Sequence, residues 1–201
     1  MELPEERSRL TGALNLAAWR IAGGYVLLAS LATALVLALR GGLPWEHPAP
    51  WLTLQPLEAL GLSAGLGVGF GLLSVLLTRV AVAHSGWARG LHAELRPVAR
   101  DLTLGRILVI SCFSSLGEEL LFRGMLQPWV GLVPGALLFG LVHQIPGPSR
   151  WVWVGWATAM GLGLGAIFEL TGSLLGPLLA HAIVNALNLG FLRDHDPAAA
   201  R

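Results

Sequence analysis

Six apolar stretches take up most of this chain: Ala18–Leu39, Ala59–Val82, Leu104–Leu126, Val130–Ile145, Trp151–Leu170 and Leu174–Leu192. A helix needs about 20 mostly apolar residues to cross the hydrocarbon of a bilayer. These stretches meet or approach that length, and Val130–Ile145 is the shortest. In lipid every backbone N–H and C=O must be paired internally, which rules out open sheets and leaves helices. The expected fold is therefore all-α, a polytopic membrane protein of about six transmembrane helices in one bundle. Composition agrees: hydrophobic residues make up 54% and charged residues 12%, where a soluble domain carries about 25% charged. Mean hydropathy is +0.66. The first stretch is long and lacks a small-residue cleavage site, so it reads as a span and not as a signal peptide.

Several function classes drop out on composition. A net charge of +1 gives no field to attract nucleic acid. The single cysteine, Cys112, excludes an internal disulfide and any multi-cysteine zinc site. All basic residues are arginine, so no Walker lysine or catalytic lysine exists. That bias reads as coding bias in a bacterium of high GC content. With the N-terminus inside, Arg7, Arg9, Arg20, Arg79, Arg89, Arg96, Arg100, Arg106, Arg150, Arg193 and Arg201 fall on the cytoplasmic side. Only Arg40 and Arg123 fall elsewhere. The expected location is the bacterial inner membrane with both termini cytoplasmic. Trp19, Trp45, Trp51, Trp87, Trp129 and Trp151 lie near span ends, as an aromatic belt requires.

Between the second and third spans, Trp87, Leu91, Leu95, Val98 and Leu102 recur at helical spacing among charged residues. This pattern predicts an interfacial amphipathic helix on an anionic leaflet, kinked or divided by Pro97. Gly61, Gly65, Gly67, Gly69 and Gly71 in the second span, and Gly161, Gly163 and Gly165 in the fifth, predict close helix packing. They lack the strand-to-helix context of a phosphate loop. No internal repeat of the transporter kind is evident. The chain divides into two N-terminal spans with the amphipathic segment (1–101), a four-span core (102–193) and a short polar tail (194–201).

Ionisable groups at membrane depth cost roughly 2.5–3.5 kcal/mol each on insertion scales, so they point to function. Here they gather in Glu118-Glu119-Leu-Leu-Phe-Arg123, in Phe139-Gly-Leu-Val-His143 and in His181-Ala-Ile-Val-Asn185. Glu169 lies near the end of the fifth span, within reach of the interface. Successive helical residues are about 100° apart, so Glu118 and Glu119 cannot aim at one point. Arg123, four residues after Glu119, shares its face at ion-pair distance. Glu119 is then structural and Glu118 is free for chemistry. Phe139 can wall a pocket beside His143, and His181 and Asn185 share a face. Glu118 with His143 can hold and deprotonate a water, a carboxylate in a low-dielectric pocket being a suitable base. His181 and Asn185 can donate to a developing oxyanion. The reaction class is amide hydrolysis.

Taken together, Glu118-Glu119-x-x-x-Arg123, Phe139-x-x-x-His143 and His181-x-x-x-Asn185 resemble the CPBP family of intramembrane proteases. That family includes type II CaaX prenyl endopeptidases and bacteriocin-processing proteins. The flanking Glu-Glu-Leu-Leu-Phe-Arg-Gly and Gly176-Pro-Leu-Leu-Ala-His181 agree, and the likeness runs from about Leu102 to Leu192. It implies Glu118 and His143 on the catalytic water, Glu119 and Arg123 as structural groups, and His181 and Asn185 as the oxyanion site. Glu118, His143 and His181 could hold zinc with one open position. However, the His-Glu-x-x-His signature is absent and Asn185 is a poor zinc ligand, which favours glutamate-activated water without a cofactor. The expected partners are the bilayer and a membrane-associated protein or peptide substrate. That substrate is a CaaX-like tail, a secreted peptide precursor or a C-terminal anchoring segment. Two other classes compete: a small transporter or membrane-binding subunit, and a non-catalytic peptide-binding scaffold.

Overall fold

The computed structural model describes residues 4–196, with side chains described from Leu16. The parts of the polar tail beyond 196, and the orientation signal placed on Arg201, lie outside the described residues. The chain runs through α1 (Pro4–Leu39), α2 (Pro56–His84), α3 (Gly86–Ala99), α4 (Leu104–Glu119), a π-helical segment (Leu120–Leu126), α5 (Gln127–Val130), α6 (Leu132–Val142), α7 (Arg150–Thr171) and α8 (Leu175–Asp194). Among the described residues extended pairing is limited to one bridge between Glu46 and Ser173. Local chemistry sets several of these ends. Pro56 and the reciprocal Gln55–Glu58 capping box open α2, and the Thr103 side chain caps α4. Gly172, at φ +76°, closes α7 in the left-handed conformation that glycine adopts without steric cost.

Hydrogen bonds sort the connections to two ends of the bundle. At one end the α1–α2 link meets the π segment and the α7–α8 turn. Arg40 Nη1 donates to the Gly124 carbonyl at 2.9 Å, His47 N to Gly172 at 2.9 Å and Leu174 N to the Trp45 carbonyl at 3.1 Å. At the other end α3 meets the start of α7 and the end of α8. There Glu94 accepts from Ser149 Oγ at 2.8 Å, and His92 Nε2 bonds the His195 carbonyl at 2.9 Å. Arg89, Arg96, Arg100, Arg106, Arg150 and Arg193 all belong to this α3 end, while Arg40 and Arg123 belong to the opposite half.

Leu16–Leu39, Pro56–His84, Arg150–Thr171 and Leu175–Asp194 are long and apolar enough to cross a bilayer. The third stretch crosses as α4, the π segment and α5 in series. The fourth takes an unusual form. The 11 residues of α6 rise only about 16 Å at 1.5 Å each, roughly half the hydrocarbon thickness. The chain from His143 to Ser149 then returns to the α3 end without helix. Unwound backbone at membrane depth is tolerated where it lines a cavity inside the protein, and His143 sits at that helix end.

The helices meet where small residues permit. A Cβ on Gly67 would run into the Gly176 backbone, and one on Gly71 would lie 3.1 Å from Ala180, so α2 and α8 cross at these two glycines. Gly161 packs on Ala136, Gly163 on the Phe70 ring and Gly165 on Gln127 and Leu132. Gly61, Gly65 and Gly69, predicted to pack as well, face open space. The outer surface carries Leu27, Leu57, Leu72 and Leu76, and all six belt tryptophans are exposed, which suits a lipid surround. The chain is an integral membrane protein. The amphipathic segment is a single helix with Pro97 in its last turn. Ala88, Leu91, His92 and Ala99 of α3 are buried, so most of its inner face packs on the bundle; only Trp87 and Val98 of the predicted stripe stay widely exposed.

Candidate active site

The site forms where α4 gives way to the π segment. A π turn closes by i to i+5 bonds, as the Gln127 N–H to Phe122 carbonyl bond shows, and such widened turns recur at functional sites. Glu119 and Arg123 bracket its start and are fully buried. Arg123 Nη1 donates to Glu119 Oε1 at 2.8 Å and Nη2 to the Gly161 carbonyl at 3.3 Å. The guanidinium also lies over the Phe139 ring, with Cζ 4.3 Å from its centroid. The i, i+4 ion pair expected from the sequence is therefore present, in a setting where burial is offset by pairing, a carbonyl and an aromatic face.

Glu118 points the other way, into a cavity of about 280 Å³ that it shares with Tyr25, Ser114, Phe139, His143, His181 and Asn185. Its two oxygens have different surroundings. Oε1 accepts the Tyr25 hydroxyl at 2.9 Å. Oε2 is buried without a hydrogen-bond partner. His143 Nε2 lies 3.4 Å and His181 Nε2 3.8 Å from that same oxygen.

The other nitrogen of each imidazole is committed. His143 Nδ1 is 2.6 Å from the Phe139 carbonyl, which can only accept, so Nδ1 carries hydrogen. His181 Nδ1 is 2.6 Å from Glu119 Oε1, a carboxylate already paired with Arg123, and carries hydrogen for the same reason. These tautomers follow from the bonding network. With Nδ1 so engaged, each ring turns its Nε2 toward Glu118 Oε2, an acceptor when the ring is neutral and a donor when it is protonated. Phe139 walls the site: its centroid lies 4.4 Å from that of His143 and 5.9 Å from that of His181.

All the sequence-derived site residues meet here, with two departures in detail. His181 spends its only neutral N–H on Glu119, so it can donate to an oxyanion from Nε2 only as an imidazolium. Asn185 lines the cavity but donates to Ser114 Oγ at 3.0 Å. Glu169, expected near the interface, accepts from Gln127 Nε2 at 3.1 Å. Tyr25 and Ser114 were not anticipated. Tyr25 is the only tyrosine and lies inside an apolar span, which was the available signal. Among the described residues no group of three or more His, Cys, Asp or Glu side chains has the spacing of a metal site.

Residues 100–187 match the family described as type II CAAX prenyl endopeptidase Rce1-like. The Rce1-like segment contains every motif residue from Glu118 to Asn185, whereas Tyr25 lies outside it. A curated Bacillus subtilis (strain 168) protein, "Uncharacterized protein YpbD", is 34% identical over 85 residues, 42% of this chain and 44% of that protein. This chain thus spans less than half of that relative's length. No solved structure matches the chain.

Proposed function

We propose that this chain is an intramembrane endopeptidase that hydrolyses a peptide bond of a membrane-associated substrate with a water activated by Glu118. The observation that carries this reading is the convergence of Glu118 Oε2 and the Nε2 atoms of His143 and His181 on one side of the cavity. With both rings neutral, Oε2 and the two Nε2 atoms all accept, and a water is the smallest group that can donate to two of them at once. A water donating to Oε2 and to His143 Nε2 would be held with its oxygen toward the cavity. As that oxygen attacks the scissile carbonyl carbon, Glu118 takes a proton and the carbonyl π pair moves to oxygen. The second N–H of Asn185 is free to donate to that oxyanion, and His181 joins it once protonated. Collapse breaks the C–N bond, and the proton held by Glu118 passes to the leaving amine. No step needs a metal or other cofactor.

The cavity and the half-unwound fourth crossing suit an extended peptide entering from the α3 end. We place that end in the cytoplasm, on the arginines gathered there, and place the protein in a bacterial inner membrane. The Rce1-like segment supports a C-terminal tail of CAAX type as the substrate class. The test uses the purified full chain in detergent micelles with internally quenched apolar peptides, with and without a prenylated CAAX end. Cleavage that survives a chelator and disappears in Glu118→Gln is expected. Cleavage by Glu118→Gln at the wild-type rate, or no cleavage by the wild type, contradicts the reading.

A further inference from the structure

We infer that Tyr25, from the first transmembrane helix, is a positioning residue that fixes which oxygen of Glu118 acts as the base. The inference rests on the Glu118 reading above and adds to it a residue outside the Rce1-like segment. The phenol has one hydrogen and the carboxylate can only accept, so the 2.9 Å bond runs from Tyr25 to Oε1. A carboxylate on a helix has a terminal torsion that rotates broadly. With Oε1 pinned, that rotation stops, and Oε2 stays beside His143 and His181.

The backbone is built to allow this contact. A Cβ on Gly117 would lie 2.8 Å from the Tyr25 ring and 2.9 Å from the Tyr25 carbonyl. Only glycine at the position just before Glu118 lets α1 approach so closely. The pin and its seat therefore come from two helices, and the catalytic carboxylate is oriented from the lipid-side helix as well as from the core. Tyr25 lines the cavity, but its hydroxyl hydrogen is spent on Glu118, so its contribution runs through that carboxylate.

The test exploits the fact that Tyr25 is the sole tyrosine. Tyrosine labelled with 13C at Cζ gives one resonance from the purified chain in micelles. That resonance is expected to move in Glu118→Ala, where the acceptor is gone; an unmoved resonance overturns the inference. With the quenched peptides, Tyr25→Phe is expected to lower kcat about tenfold or more, the scale of one hydrogen bond to a charged group, and to leave KM unchanged. Unchanged kcat, or a loss carried by KM alone, also overturns it. Activity retained in Glu118→Ala would instead defeat the proposed function, and the two failures are thus distinguishable. Because Tyr25→Phe removes a single oxygen, an unfolding midpoint within a few degrees of wild type is expected.

Discussion

Glu118 and Glu119 are neighbours in sequence with opposite roles, and this division can be measured. Glu119 is fully buried with Arg123 2.8 Å away. Glu119→Gln keeps an oxygen to accept from Arg123 and His181 but leaves the guanidinium charge uncompensated in the interior. Breaking a buried pair in this way costs about 3–5 kcal/mol, against a net stability of about 5–15 kcal/mol for a folded domain. For a chain of this size each kcal/mol moves the unfolding midpoint by about 2–4 °C, so the low end of that cost predicts a fall of about 6–12 °C. Glu118→Gln removes a carboxylate whose Oε2 has no hydrogen-bond partner and keeps an acceptor for Tyr25, so its cost is expected within about 1 kcal/mol. The assay is thermal unfolding of the purified chain in micelles, followed by circular dichroism, beside peptide cleavage. The double variant Glu119→Gln with Arg123→Met should recover stability relative to Glu119→Gln alone, since it removes the stranded charge. A Glu119→Gln protein as stable as wild type, or a double variant no more stable than the single, would mean that the buried Glu119–Arg123 pair does not hold the fold in this way.

Two other perturbations follow from the packing. Gly67→Ala should destabilise by several kcal/mol, because its Cβ has no room against the Gly176 backbone; Gly65→Ala, which faces open space, should be neutral or stabilising by up to about 1 kcal/mol. Equal effects in the same unfolding assay would show the α2–α8 crossing to be misplaced. Burial holds His92 below the ordinary histidine value, opposed by its bond to the His195 carbonyl and reinforced by His195, Arg96 and Arg79 nearby. A depressed folded-state value means that this stability is intact above about pH 6.5 and is lost as the pH falls through the folded-state value. Hydrogen exchange in α3, corrected for intrinsic rates, should therefore quicken between pH 7 and pH 5 in the wild type and not in His92→Gln. Identical protection at both pH values contradicts this.

The pairings legible in the sequence were those that one helix makes by itself. Spacing of four places two residues on one face whatever surrounds the helix, and so Glu119 with Arg123 and Phe139 beside His143 were readable. Contacts between helices were not. The bond from His181 to Glu119, which fixes the tautomer, and the Tyr25 bond to Glu118 depend on rotations and depths that hydropathy does not encode. The glycines show the same limit: Gly65 and Gly67 are equal in the sequence, yet only Gly67 meets α8. The fourth apolar stretch predicted a span, and the chain does return across there, but Gly131 at φ +86° and the break at His143 confine helix to 11 residues. The π segment left no readable signature, since an extra residue in a turn shifts the register by about 100° and Leu120–Leu126, Arg123 apart, is too uniformly apolar for that shift to show.

The most direct measurement of the central claim compares membrane peptides, by mass spectrometry of small proteins and C-terminal fragments, from cells carrying wild type and cells carrying Glu118→Ala at equal abundance. At least one precursor is expected to accumulate in the variant while its shortened product disappears. Identical profiles, with the variant folded and present at the wild-type level, would contradict it and move solute transport or peptide scaffolding ahead of hydrolysis.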